Sequence, residues 1–187
     1  MKRREFLGGC ALGLTLATGS SVASRTAQGA EDQAEPTIDA ERLSETAYRH
    51  FIPGKRTCCE AILMAGCEVL GIRSNLVPDI ALGLAGGVGL QGDTCGVLTS
   101  SALVLSLAVA AKETEYSKKK MRTVEAVGRV CRAFRKQFGH TDCRSLCGID
   151  LTTTEGRKKL TEGVKARTCA QCVQAGAKLL ATELEGI

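Results

Sequence analysis

Tryptophan is missing from the 187 residues, and aromatic residues make up only 3% of the chain. That scarcity argues against binding single-stranded nucleic acid or sugar by stacking. A core without large rings must be built from Ala, Leu, Val, Ile and Cys, which favours close helix packing. Histidine is nearly as rare: His50 and His140 are the only two, too few for a His-rich metal site or a Ser-His-Asp hydrolase. They have no partner in sequence, so solvent-facing or capping roles are expected for both. No segment alternates apolar and polar residues with period two, so β structure is not expected. What the chain has in quantity is cysteine, ten in all, and sulfur chemistry is where function is to be sought.

The first 37 residues read as separate from the fold. Lys2-Arg3-Arg4 followed by an apolar run and then small residues resembles a twin-arginine export signal, with signal and cleavage region over 1–30 and a flexible leader over 31–37. The expected location is therefore the periplasm or another extracytoplasmic space. The apolar run is short of a full span, so no stable membrane insertion is expected after cleavage. Loss of residues 1–23 removes a net +2, leaving +3 of the original +5. The basic runs Lys118-Lys119-Lys120 and Arg157-Lys158-Lys159 have acids nearby and read as solvated helix faces, so no nucleic-acid partner is expected. Nine cysteines remain once Cys10 is removed, an odd count that fits poorly with a purely disulfide framework.

From 38 to 187 the pattern predicts an all-α domain, an irregular bundle of about six to eight helices. Helices are predicted over 39–51, 58–72, 94–111, 118–138, 142–147, 154–166 and 168–184, with a short one over 78–84 leading into a glycine-rich stretch. Thr57-Cys58-Cys59-Glu60 and Thr168-Cys169-Ala170-Gln171 both match the capping box. Thr94 and Asp142 offer caps just before Cys95 and Cys143. Cys58, Cys95, Cys143 and Cys169 are thus each expected to open a helix, where free N–H groups and the macrodipole favour a thiolate. Four such ends contribute roughly +2, which matches the net charge of about −2 of a tetrathiolate holding Zn²⁺ or an oxidised [2Fe–2S] cluster. Separations of 37, 48 and 26 positions are unlike the close pairs of zinc ribbons.

These residues resemble the C_GCAxxG_C_C family of redox-active proteins. The resemblance is carried by Cys58-Cys59-Glu60-Ala61, Gly86-Gly87-Val88-Gly89, Thr94-Cys95-Gly96-Val97, Cys143-Arg144-Ser145-Leu146 and Cys169-Ala170-Gln171-Cys172, over about residues 45–185. Val97 and Ser100 depart from its pattern, which has Ala and Gly there. The same region looks like the non-haem part of split-Soret cytochrome c. The resemblance implies an electron-transfer protein with a [2Fe–2S]-type cluster on Cys58, Cys95, Cys143 and Cys169, an unknown redox partner protein and a possible homodimer. Covalent haem is not expected, because Val173 follows Cys172 where a c-type site needs His. Gly87, Gly89 and Gly96 are expected to let backbone amides approach the bound centre.

Cys147 and Cys172 each stand one turn after a predicted ligand and could replace it or act as its resolving partner. Two other readings stay open: a thiol–disulfide oxidoreductase using Cys169 and Cys172, and a zinc-stabilised binding module. On the leading reading the protein is a carrier rather than an enzyme and has no substrate pocket of its own. Gly87 to Gly92 spells G-x-G-x-x-G, but no strand–helix–strand pattern surrounds it, so a dinucleotide site is not expected.

Overall fold

The computed structural model describes residues 38–187. The export signal, its cleavage region and the leader assigned to 1–37 lie outside the described residues. The all-α expectation holds. Seven α-helices occur among the described residues: α1 (Ala40–Phe51), α2 (Cys58–Val69), α3 (Gly96–Lys112), α4 (Tyr116–Phe138), α5 (Cys143–Cys147), α6 (Thr154–Lys159) and α7 (Ala170–Glu185). A 3₁₀ helix spans Asp79–Leu84, and a π-helical stretch, Leu160–Cys169, joins α6 to α7. None of these helices is long and apolar enough to cross a membrane.

The helix starts follow their caps. Asp39 Oδ1 accepts the N–H groups of Glu41 and Arg42, and the stripe Leu43, Ala47 and Phe51 is buried below it. At α2 the Thr57 hydroxyl accepts the Glu60 N–H while the Glu60 carboxylate accepts the Thr57 N–H, a complete capping box. Helix α4 begins at Tyr116, two residues before the predicted start, because the Glu115 carboxylate accepts the N–H groups of Ser117 and Lys118. It ends at Gly139, which takes the left-handed φ of 79° common at helix C-termini.

Helix α3 is the hub. It carries no charge from Gly96 to Ala111, buries Val97, Leu98, Val104, Leu105 and Val109, and packs against α2, α4 and α7. Two glycines set those crossings. A Cβ on Gly66 of α2 would come within 2.5 and 2.6 Å of the Val104 methyls, and one on Gly176 of α7 would collide with Val97. Helix α1 lies along α7 and α2, and closes the core from the other side.

Two features depart from the predicted elements. The first is an isolated antiparallel bridge between Thr94 and Asp142. The Cys95 N–H donates to Thr141 O at 2.9 Å, and the Cys143 N–H donates to Asp93 O at 2.7 Å, so the starts of α3 and α5 lie side by side. The second is the run from 154 to 169. A single α-helix over 154–166 is predicted, but the α form ends at Lys159 and Gly163 is non-helical (φ 160°, ψ −22°). The π-helical stretch has no fully buried residue and meets the core chiefly through Cys169, so little packing holds it to α geometry.

Candidate functional site

The starts of α2, α3 and α5 converge with the π-helical stretch at one end of the bundle. Cys58, the first residue of α2, lies against the start of α3 so closely that a Cβ on Gly96 would fall 2.7 Å from its sulfur. Cys95 stands near it, close enough to raise the pKa of the Cys58 thiol. Cys143 opens α5 and Cys147 closes it one turn later, their sulfurs 3.9 Å apart. The Cys147 sulfur in turn lies 3.4 Å from that of Cys169.

Cys58, Cys143, Cys147 and Cys169 line a cavity of about 130 Å³. Phe51 from α1 and Thr57 and Cys58 from the α2 start form one wall. Ala85, Gly86 and Leu90 of the glycine-rich turn form a second, and Cys143, Cys147 and Leu151 a third. Leu160, Lys165 and Cys169 of the π-helical stretch close the fourth. The surface turned into the cavity is almost wholly carbon and sulfur, and Lys165 contributes its hydrocarbon stem to it.

Sulfur contacts and burial raise the pKa of Cys58, Cys143 and Cys147. For Cys58 the neighbouring Cys59 thiol pulls the pKa down, but the contact with Cys95, burial and the nearby Cys95 and Cys143 sulfurs together drive it well up. Cys143 is raised by its hydrogen bond with Cys147 and by burial. For Cys147 the contact with Cys143 lowers the value, and the contact with Cys169, burial and the neighbouring sulfurs outweigh it, leaving it pushed up to about 12. Cys172 is pushed up to about 11, chiefly by burial. Thiol–thiol contacts, with Cys95 for Cys58 and with Cys147 for Cys143, and then burial outweigh the helix-end effect that the sequence suggests for these two.

The metal centre predicted on Cys58, Cys95, Cys143 and Cys169 is overturned. Three of the four do line one cavity, with Cys95 behind Cys58. Yet among the described residues no group of three or more Cys, His, Asp or Glu side chains is arranged to hold a metal ion. The sulfurs of Cys143, Cys147 and Cys169 touch pairwise in a chain instead of facing a common point. The iron–sulfur cluster, the zinc site and the electron-carrying role built on them fall with that finding.

Part of the reason is visible at the helix ends. Cys58 and Cys143 do open helices, capped by Thr57 and Asp142. Cys95 is itself the N-cap residue of α3 and makes no side-chain cap bond. Cys169 has helical φ and ψ (−66°, −33°) and is entered from the π-helical stretch, so no free helix tip exists there and Thr168 caps nothing. Four converging N-termini reduce to fewer, and the charge match that favoured an anionic centre is lost.

The Cys169–Cys172 redox pair is overturned too. The sulfur of Cys169 faces Cys147, Cys172 is buried in the core cluster, and all nine cysteines of the described residues are free thiols. The glycines expected at a bound centre serve the backbone. At Gly87 (φ 70°) a Cβ would lie 2.5 Å from Asp93 N and O, and Gly96 makes room for the Cys58 sulfur. Gly89 meets no other group within 4 Å of where its Cβ would stand.

Several contributors carry little sequence signal. Cys147 is hinted at by its place one turn after Cys143, whereas nothing in the pattern marks Lys165 or Phe51 as wall residues. Arg144 secures the turn, reaching Gln91 O at 3.3 Å and Asp150 at 3.0 Å. His50 is not unpartnered, since its Nε2 lies 2.6 Å from Glu68 Oε1.

Residues 56–183 match the family described as "Putative redox-active protein (C_GCAxxG_C_C)". The chain belongs to this family. The matched span takes in every cysteine of the cavity, from Cys58 to Cys169. No curated protein and no solved structure matches the chain, so the likeness to split-Soret cytochrome c rests on the residues alone.

Proposed function

We propose that the protein is a non-enzymatic binding module that takes a small, polarisable, largely apolar molecule into the cavity between α2, α5 and the π-helical stretch. The observation that carries this reading is the cavity itself, about 130 Å³ and lined by Phe51, Leu90, Leu151, Leu160 and four cysteines. An apolar cavity of about 150 Å³ stays dry and accepts a benzene-sized guest. Sulfur adds favourable contacts to an aromatic ring, about 0.3–1.5 kcal/mol each. Among the described residues no carboxylate or imidazole lines the cavity, and the raised pKa values of Cys143 and Cys147 make these thiols poor nucleophiles, which supports binding over acid–base or covalent catalysis. The paired arginines Arg3-Arg4 and the apolar run after them support work in an extracytoplasmic space.

Toluene is a suitable probe. Titrated into reduced protein, it is expected to shift the Leu151 and Leu160 methyl resonances saturably. Cys147→Leu is expected to fill the cavity, abolish that shift and raise stability by about 0.5–2 kcal/mol. A linear, non-saturating response, or equal binding by Cys147→Leu, overturns the reading.

A further inference from the structure

Lys165 is the only residue with a charged side chain among the described residues that line the cavity; its stem forms part of the wall and its ammonium lies at the edge of that apolar surface. Its ammonium lies 4.7 Å from the centroid of the Phe51 ring and donates to Arg56 O at 3.0 Å. An ammonium has three donors, and this carbonyl takes one. The nearby carboxylates are committed elsewhere: Glu60 bonds Thr57 and pairs with Arg56, and Glu162 lies 3.7 Å from Lys158. Among the described residues no carboxylate forms an ion pair with Lys165.

A cation spread over an aromatic wall, with donors to spare and neutral sulfur around it, is a site of defined polarity. We infer that the ligand is a small monocarboxylic acid whose apolar body, about the size of a benzene ring, fills the cavity while its carboxylate meets Lys165. This rests on the binding function proposed above and adds the charge and chemical class of the ligand. The thiols and hydrocarbon walls of the cavity carry no carboxylate that would repel an anion, among the described residues. A hydrogen bond to a charged group of this kind corresponds to about tenfold in affinity or more.

Calorimetric titration of the full chain with benzoate, toluene and benzylamine tests this. Benzoate is expected to bind at least about tenfold more tightly than toluene, and benzylamine more weakly than either. Lys165→Met is expected to bring benzoate down to the level of toluene while toluene binding is unchanged, and Lys165→Arg to keep most of the preference. Equal affinities for benzoate and toluene in the unaltered protein overturn the inference and leave the cavity reading standing. So does a Lys165→Met variant that keeps the preference, or one that loses toluene as well. If none of the three ligands binds the unaltered protein, both the inference and the cavity reading fail.

Discussion

Helix α3 meets its neighbours in two contrasting ways. On the faces turned to α2 and α7, glycines let Val104, midway along α3, and Val97, in its first turn, enter to contact distance, and Phe134 closes over Gly176, 3.7 Å from where a Cβ would stand. At its start the chain brings in Cys58, Cys95, Cys143 and the glycine-rich turn, and the fit leaves room for a guest. The difference lies in what each side chain can fill. Branched methyls and an aromatic ring reach across the gap between helices, whereas cysteine ends one atom past its Cβ and leaves space unless another chain leans in. The segment that leans in, Leu160–Cys169, lines one wall but has no fully buried residue of its own. Stability and binding capacity are thereby assigned to different parts of one small bundle.

Truncation separates the two regions most strongly. Phe134 is fully buried and stacks at 4.6 Å on Phe138, so Phe134→Ala should cost about 3–5 kcal/mol by urea unfolding. Leu160→Ala removes a larger fraction of the cavity wall than of the core and should cost under about 1 kcal/mol. Comparable losses at the two positions would mean that the cavity end is packed as tightly as the body of α3, and the contrast would disappear.

The two capping boxes sharpen the same contrast on a smaller scale. Thr57→Ala should cost about 1 kcal/mol, since it removes a hydroxyl that accepts the Glu60 N–H and donates to the Glu60 carboxylate. Thr168→Ala should fall within about 0.5 kcal/mol of zero, because the same Thr-Cys-x-x sequence there lies inside continuous helical backbone. Both variants can be compared by thermal and urea unfolding. An equal cost at the two sites would restore a free helix tip at Cys169.

These paired sites also show what could be read in advance. The body of the fold was legible because its signals are local: Asp39, Thr57 and Asp142 cap the next residues along, and the stripe Leu43-Ala47-Phe51 faces one way whatever surrounds it. A capping box, however, reports a helix start only if the residues before it are not already helical. At Thr168 they are, through a π-helical stretch that no period in the sequence announces. The convergence of cysteines was foreseen in part, with Cys58, Cys143 and Cys169 on one cavity. The raised thiol pKa values were not, since they depend on burial and on sulfur contacts between residues 22 positions apart, as with Cys147 and Cys169. Nor was the cavity, which is a volume between elements. The Thr94–Asp142 bridge that aligns α3 with α5 is a two-residue pairing across 48 positions, too short to leave a strand pattern.

The smallest expected effect concerns Glu60, which lies 3% exposed at the α2 start and connects the two regions. Burial alone would raise its pKa. The Thr57 hydroxyl, the Thr57 N–H and the Arg56 guanidinium outweigh burial and hold the carboxyl below its usual range. A carboxylate depressed in the folded state contributes stability that is fully present above the unfolded value of about 4.3 and fades as pH falls through the folded one. The unaltered protein should therefore lose more stability between pH 7 and pH 3 than Glu60→Gln does, when the two are compared by urea midpoints. The amide can still accept the Thr57 N–H but has no charge to titrate, so the gap between the two proteins should be widest at pH 7 and narrow on acidification. A gap that stays constant with pH would show that Glu60 acts through packing and hydrogen bonding alone, and that the α2 start is held no differently from the apolar body of α3.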